Sequence, residues 1–248
     1  MKRFLWISNI ITIALLIIVG LHYKIPKKVY NKIFNSTDKS KFEKPNILDC
    51  RYELKYYDFH FKSENLSPNI IMFGNSIVRH GKWNNLLNRQ DVINRGISGD
   101  NLPCMCERLK YLKNKNAKIW FIEGGINDLP GKTPIQLFEN YKSIIKFVQS
   151  ENAIPVINLV FYISPKAGLK FPSRTDYKKI NSLITELNNM LIDYADKNNI
   201  DYINLNNIIS DNDNVLKDEY TSDGVHLTEK SYEVWAKMIN EVLIENKI

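Results

Sequence analysis

Short apolar runs alternate with longer segments of helical periodicity along most of the chain. The short runs end at glycine or polar residues and are typical of buried β-strands, whereas apolar residues spaced three and four apart indicate amphipathic helices. The predicted strands cover residues 69–73, 92–94, 118–123, 154–160 and 201–205. The predicted helices cover residues 102–112, 134–150, 175–197 and 228–245. This alternation predicts an α/β fold with a parallel five-stranded sheet covered on both faces and joined by right-handed crossovers.

A different pattern occupies the N-terminus. Lys2 and Arg3 precede about 18 uncharged and mostly apolar residues, close to the length that crosses a bilayer. A cleaved signal peptide is the rival interpretation, but its apolar core is shorter, and residues 19–23 make a poor cleavage site. We therefore expect residues 1–22 to form a cytoplasmic tip and a single transmembrane helix. Residues 23–66 would form a basic stalk and entry segment, and residues 67–248 the main domain.

The charge distribution separates this N-terminal region from the main domain. The net charge of the whole chain is +7, and residues 1–48 hold nine basic and two acidic residues, so the remainder is balanced. The basic excess is typical either of a segment attracted to anionic lipid headgroups or of a solvated linker. The balanced domain argues against nucleic-acid binding. Lysines on both sides of the apolar segment oppose one another as orientation signals, although the export-like N-terminus favours an extracytoplasmic domain.

The three cysteines, Cys50, Cys104 and Cys106, are too few and odd in number for a disulfide framework. Their spacing, without a nearby histidine, does not predict a metal site. We interpret all three as structural or incidental residues and expect no metal.

Polar residues follow several predicted strands at the edge where ligands of such sheets bind. Ser76 follows a glycine after the first strand, Gly99 lies after the second, and Asn127 lies after the third. Asp223 and His226 share one turn before the last helix. Acyl transfer needs such a set: an exposed serine, a histidine base, a carboxylate that orients it, and donors for the oxyanion. Taken alone, each of these is usually an ordinary turn or surface residue. Only their joint occurrence in this order predicts an acyl-transfer site.

The blocks Gly74-Asn75-Ser76-Ile77, Gly99, Gly125-Ile126-Asn127-Asp128 and Asp223-x-x-His226 resemble the SGNH hydrolase superfamily, the GDSL-like lipases and esterases. The resemblance spans residues 68–244, and residues 94–100 with 125–129 are similar to its platelet-activating-factor acetylhydrolase-like branch. It implies a flavodoxin-like three-layer α/β/α sandwich without cofactor or metal. It also implies a catalytic triad of Ser76, Asp223 and His226, and an oxyanion hole formed by Ser76, Gly99 and Asn127. Asn75 stands where the family motif has aspartate.

Three functions fit these residues. The first is a membrane-anchored serine esterase that hydrolyses an ester of a small acyl group, such as O-acetyl, on a carbohydrate or lipid. The second is transfer of the same acyl group to a cell-envelope glycan, which would use the same acyl-enzyme. The third is a non-catalytic, membrane-tethered binding module.

Overall fold

The computed structural model describes Cys50 and residues 68–248. The predicted anchor at residues 1–22 and, apart from Cys50, the predicted stalk at residues 23–66 lie outside the described residues. Among the helices that are described, none is both long and apolar enough to cross a bilayer. The membrane anchor and the domain boundaries therefore stay predictions.

Five parallel strands form the central sheet in the order β2-β1-β3-β4-β5. Their residues are β1 Ile70–Gly74, β2 Val92–Gly96, β3 Ile119–Glu123, β4 Ile154–Asn158 and β5 Asp201–Ile203. Every residue of β1 and of β3 is buried, as expected for central strands covered on both faces. The sheet order reverses between β1 and β3, and ligands of such sheets bind at this switch point.

Helices cover both faces of this sheet. The α-helices are α1 Ser76–His80, α2 Trp83–Leu86, α3 Leu102–Arg108, α4 Pro134–Ser150, α5 Ala167–Lys170, α6 Tyr177–Asn198, α7 Asn206–Ile209 and α8 Glu229–Glu245. Helices α3, α4 and α6 pack beside one another, and α8 packs on α2. Short 3₁₀ turns cover Leu109–Leu112, Pro172–Arg174 and Asp218–Tyr220. The predicted five-stranded parallel sheet with flanking helices is confirmed.

The helix ends follow local sequence signals. The side chain of Asp176 accepts a hydrogen bond from the Lys179 N–H and caps α6, while Thr133 and Gln136 form a capping box at α4. Helix α6 ends at Asn198, and the next residue, Asn199, caps it in the left-handed conformation with φ of 50°.

A disulfide joins Cys50 to Cys104 in α3 across 54 residues of sequence, and Cys106 is a free thiol. This pairing is not predictable from the sequence, because an odd number of cysteines does not show which two are close. The bridge attaches residue 50 to the helix that follows the Gly99 loop.

Candidate active site

Ser76 begins α1 directly after β1 and is 7% exposed. The preceding residue, Asn75, caps this helix: its Oδ1 accepts a hydrogen bond of 2.7 Å from the N–H of Ile77. A Cβ at Gly74 would lie 2.4 Å from the carbonyl oxygen of Glu123, so only glycine fits before this turn. Asn75 thus caps the N-terminus of α1, and aspartate can fill the same role.

Ser76, His226 and Asp223 lie in one hydrogen-bonded line. The Oγ of Ser76 is 3.0 Å from the Nε2 of His226, and the Nδ1 of His226 is 2.8 Å from the Oδ2 of Asp223. A carboxylate only accepts hydrogen bonds, so Nδ1 carries the ring proton and Nε2 is left to accept the proton of the serine hydroxyl. Ser76 and His226, 150 positions apart in sequence, thus join with Asp223 in a hydroxyl, imidazole and carboxylate series of the kind that can activate a serine.

The carboxylate of Asp223 is held ionised by its surroundings. Its Oδ1 accepts hydrogen bonds from the backbone N–H groups of Val225 at 3.1 Å and His226 at 2.8 Å. Its Oδ2 also accepts a hydrogen bond of 2.9 Å from the Nζ of Lys170. Burial opposes ionisation, but the hydrogen bonds from His226 and Lys170 outweigh it and hold the pKa of Asp223 below its ordinary value.

The loops after β1, β2 and β3 are tied together next to Ser76. The N–H of Ile97 donates to the Gly74 carbonyl at 3.0 Å, and the Nδ2 of Asn127 donates to the Asp100 carbonyl at 2.8 Å. Gly99, which directly precedes Asp100, has a φ of 77°, a conformation that favours glycine. Among the residues that the structure describes, the Gly99 N–H and the second N–H of the Asn127 amide have no hydrogen-bond acceptor.

A buried ion pair also holds the end of β1 and the loop after β2 in place. The Nε of Arg108 lies 2.7 Å from the Oδ2 of Asp100, and both side chains are fully buried. The Nη2 of Arg108 donates to the Gly74 carbonyl at 2.8 Å, and the guanidinium lies 4.0 Å from the ring centroid of Phe73. One arginine thus connects the end of β1 to the loop that follows β2.

Residues 72–234 match the model of the GDSL-like lipase/acylhydrolase family. The chain belongs to this family. It is therefore a carboxylic ester hydrolase, and the predicted family and enzyme class are confirmed. No curated protein matches the chain.

Solved structures share the fold of this GDSL-like hydrolase. A GDSL-like lipase from Bacteroides thetaiotaomicron is 21% identical with a TM-score of 0.68, over 77% of this chain and 97% of that one. A Streptococcus pneumonia protein described as a platelet activating factor is 22% identical with a TM-score of 0.67, over 76% and 90%. An acetyl xylan esterase is 20% identical with a TM-score of 0.56, over 70% and 98%. At these identities the likeness establishes the three-layer SGNH fold.

Two aromatic rings flank the imidazole of the GDSL-like hydrolase. The ring centroid of His226 is 5.3 Å from that of His80 and 6.0 Å from that of Phe171. Burial, the nearby His226 and the charge of Arg79 lower the pKa of His80 below its ordinary value, although Asp223 opposes this. These surroundings therefore disfavour the charged form of His80 beside the imidazole.

Residues between β4 and α6 that are absent from the predicted set also contact the candidate site. Lys170 contacts Asp223, Phe171 packs near His226, and Arg174 donates from Nη2 to the Oδ1 of Asn127 at 2.8 Å. Residues 161–176 show no helical or strand period, so periodicity gives no signal there. The one available signal is the unusual length of this connection and its concentration of cations and prolines.

Two clefts of about 830 Å³ and 400 Å³ lie along α6. Polar residues make up most of both walls, and neither wall includes Ser76, Asp223 or His226. The hydrogen-bonded series of side chains, and not the size of a cleft, locates the candidate site.

Proposed function

We propose that this GDSL-like hydrolase is a serine esterase that removes O-acetyl or other short acyl groups from a carbohydrate or a lipid. Ser76 is the nucleophile, His226 the general base and acid, and Asp223 the residue that orients His226. The N–H groups of Ser76 and Gly99 and the Asn127 amide are the oxyanion donors. The observation that carries this proposal is the continuous hydrogen-bonded line from Ser76 Oγ through the His226 ring to Asp223.

Each half of the reaction uses the same imidazole. The Ser76 oxygen attacks the carbonyl carbon while its proton moves to Nε2 of His226, and the carbonyl oxygen becomes an oxyanion. The bond from carbon to the alcohol oxygen then breaks as Nε2 returns that proton to the leaving alkoxide, which leaves an acyl-enzyme. Water repeats the sequence, gives its proton to Nε2, releases the carboxylic acid and restores Ser76. Each oxyanion donor typically contributes a factor of about 10² to 10³ in rate.

The surroundings of His226 support a carbohydrate as the alcohol side of the ester. Since Nε2 protonates the leaving alcohol, that alcohol must lie next to the imidazole. We infer that the alcohol then lies near the rings of His80 and Phe171, whose centroids are 5.3 Å and 6.0 Å from that of the imidazole. Flat aromatic faces suit the apolar faces of a sugar ring. Nothing among the described residues favours a glycan hydroxyl over water as acceptor, so hydrolysis is the reaction proposed.

Kinetics of the full-length protein in detergent test this proposal. Wild type is expected to hydrolyse p-nitrophenyl acetate, to act more slowly on the butyrate and octanoate, and to release acetate from an acetylated oligosaccharide. Ser76→Ala is expected to lower kcat by a factor of about 10⁴ to 10⁶. Ser150→Ala, at the exposed end of α4, is the matched control and should retain activity. Equal esterase activity in wild type and Ser76→Ala would contradict the proposal.

The predicted anchor at residues 1–22 completes the proposal: it would hold the domain at a membrane, on the oxidising side. The Cys50–Cys104 disulfide supports this placement, because disulfides persist in oxidising compartments. Protease added to intact cells should digest the domain. Protection of the domain until the membrane is opened would contradict the proposed side.

A further inference from the structure

Arg174 is a buried arginine beside the proposed oxyanion donor Asn127. It ends the 3₁₀ turn Pro172–Arg174 and is 7% exposed. Burial lowers its pKa, although the charge of Asp223 opposes that effect. Removing a guanidinium from water costs free energy, so interactions of the buried Arg174 must offset that cost.

The partners of Arg174 are unusual for a buried cation. Its Nη2 donates to the Oδ1 of Asn127 at 2.8 Å and lies 3.4 Å from the carbonyl oxygen of Ile126. Its guanidinium lies 4.7 Å from the centroid of the Phe171 ring. Within residues 68–248, no carboxylate lies within ion-pair distance of it. The charge is therefore directed at a neutral amide and not at an acid.

Arg174 and the Asp100 carbonyl together set which way the Asn127 amide faces. The two ends of an asparagine amide have nearly the same size, so shape alone does not distinguish Oδ1 from Nδ2. A guanidinium can only donate, which requires Oδ1 to face Arg174. The Asp100 carbonyl can only accept, which requires Nδ2 to face it, and the two atoms are 2.8 Å apart. Both neighbours impose the same orientation, and the second N–H of Nδ2 is left for a ligand.

We propose that Arg174 is a positioning residue for ester hydrolysis, which fixes the Asn127 amide with its N–H toward the oxyanion and strengthens that N–H as a donor. A cation bound to Oδ1 polarises the amide, because hydrogen bonds in a chain reinforce one another. The benefit is greatest in the transition state, where the negative charge on the carbonyl oxygen develops. The inference rests on the proposed function, since it assigns Arg174 a role through the oxyanion donor of that reaction.

A double-mutant cycle tests whether Arg174 acts through Asn127. Arg174→Met should lower kcat about 10- to 100-fold with little change in KM, and Asn127→Ala should lower kcat about 10² to 10³-fold. In the Asn127→Ala background, Arg174→Met should cost less than about a further twofold, since the group that it positions is gone. Losses that multiply in the double variant would overturn the inference.

Lys170→Met is the matched control for this cycle. Lys170 lies in the same connection but contacts Asp223 and not Asn127, so its effect should be the same with and without Asn127. If Arg174→Met does not fold, as judged by circular dichroism and thermal unfolding, Arg174→Lys replaces it in the cycle. Lysine keeps the charge but loses the planar fork, so a partial loss of kcat that disappears in the Asn127→Ala background is expected.

Chemical rescue gives a readout that a purely structural role would not produce. Millimolar ethylguanidinium should restore part of kcat to Arg174→Ala and none to the Arg174→Ala/Asn127→Ala double variant. Equal rescue of both variants would overturn the inference. Failure of the inference is distinguishable from failure of the proposed function: if Ser76→Ala abolishes hydrolysis while the Arg174 and Asn127 losses multiply, the esterase assignment stands and only the role of Arg174 falls.

Discussion

Asp223 binds both the ring and the main chain of His226. Its Oδ2 is 2.8 Å from Nδ1 of the imidazole, and its Oδ1 accepts the backbone N–H of the same residue at 2.8 Å. Because the two residues are three positions apart in one turn, the carboxylate fixes the turn and the ring together. The orientation of the proposed base therefore depends on a local motif and needs little help from distant parts of the chain.

Replacing Asp223 by asparagine should disable the imidazole without removing it. An amide can donate to Nδ1, which moves the ring proton to Nε2, and Nε2 can then no longer accept the serine proton. We expect Asp223→Asn to lower kcat by a factor of about 10⁴. Steady-state kinetics with p-nitrophenyl acetate measures this.

Asp223 contacts both the ammonium of Lys170 and the imidazole of His226. Lys170→Met tests which of these two contacts accounts for the contribution of Asp223 to kcat. The Lys170 side chain is 62% exposed, and exposed ion pairs contribute less than about 1 kcal/mol. We expect a loss in kcat of less than about fivefold. A loss as large as that of Asp223→Asn would mean that the imidazole contact is not the main role of the carboxylate.

Glu123 should make the stability of the fold depend on pH. It is fully buried at the end of β3, its Oε2 has no hydrogen-bond partner among the described residues, and its Oε1 is 3.4 Å from the Nδ2 of Asn75. Burial raises its pKa to about 8 from an ordinary 4.5, although the Asn75 contact opposes this. Between these two pH values the unfolded chain loses the Glu123 proton and the folded chain keeps it, so this group makes stability fall as pH rises.

Glu123→Gln removes this titration and retains an acceptor for Asn75. The variant should gain stability relative to wild type as pH rises from 5 to 8, by up to about 1.4 kcal/mol per pH unit. Urea unfolding of both proteins at pH 5 and pH 8 measures the difference. An identical difference at the two pH values would show that Glu123 is already ionised in the folded protein.

The disulfide should stabilise the domain by restricting its unfolded state. The bridge closes a loop of 54 residues, and bridges of this kind contribute about 2 to 4 kcal/mol. Cys50→Ser should lower the free energy of unfolding by about 2 to 4 kcal/mol. The unfolding free energy of this variant should not change when reductant is added. Cys106→Ala keeps the bridge and is the matched control. If reductant leaves the unfolding free energy of wild type unchanged, the bridge does not stabilise the domain.

The sheet could be predicted because its strands are buried on both faces and read as continuous apolar runs. The predicted and observed strands differ at their ends, where hydrogen bonds from side chains replace the backbone hydrogen bonds of the sheet. Hydrophobic periodicity predicts that the fourth strand reaches Val160, but β4 ends at Asn158, since Asn188 accepts from the N–H of Val160 and both Asn188 and Asn206 donate to its carbonyl. Asparagine side chains distant in sequence thus end β4, and hydrophobic periodicity does not show such partners.

The predicted site residues are those with local signals, a glycine turn before Ser76 and the Asp-x-x-His turn. The structure places Ser76, Asp223 and His226 within hydrogen-bond distance in series and joins Asn127 to the loop that contains Gly99. Arg174 could not be predicted. Its proposed role depends on contact with Asn127, 47 residues away in sequence, through a connection that has no periodic pattern.

Labelling of the full-length protein with a fluorophosphonate, followed by mass spectrometry of its peptides, tests the central claim most directly. The reagent forms a stable bond only with a serine oxygen that a neighbouring base has activated. We predict one phosphonylated residue, Ser76, with labelling lost in Ser76→Ala and strongly slowed in His226→Ala. A folded protein in which Ser76 stays unmodified, or is modified equally fast without His226, would contradict the account.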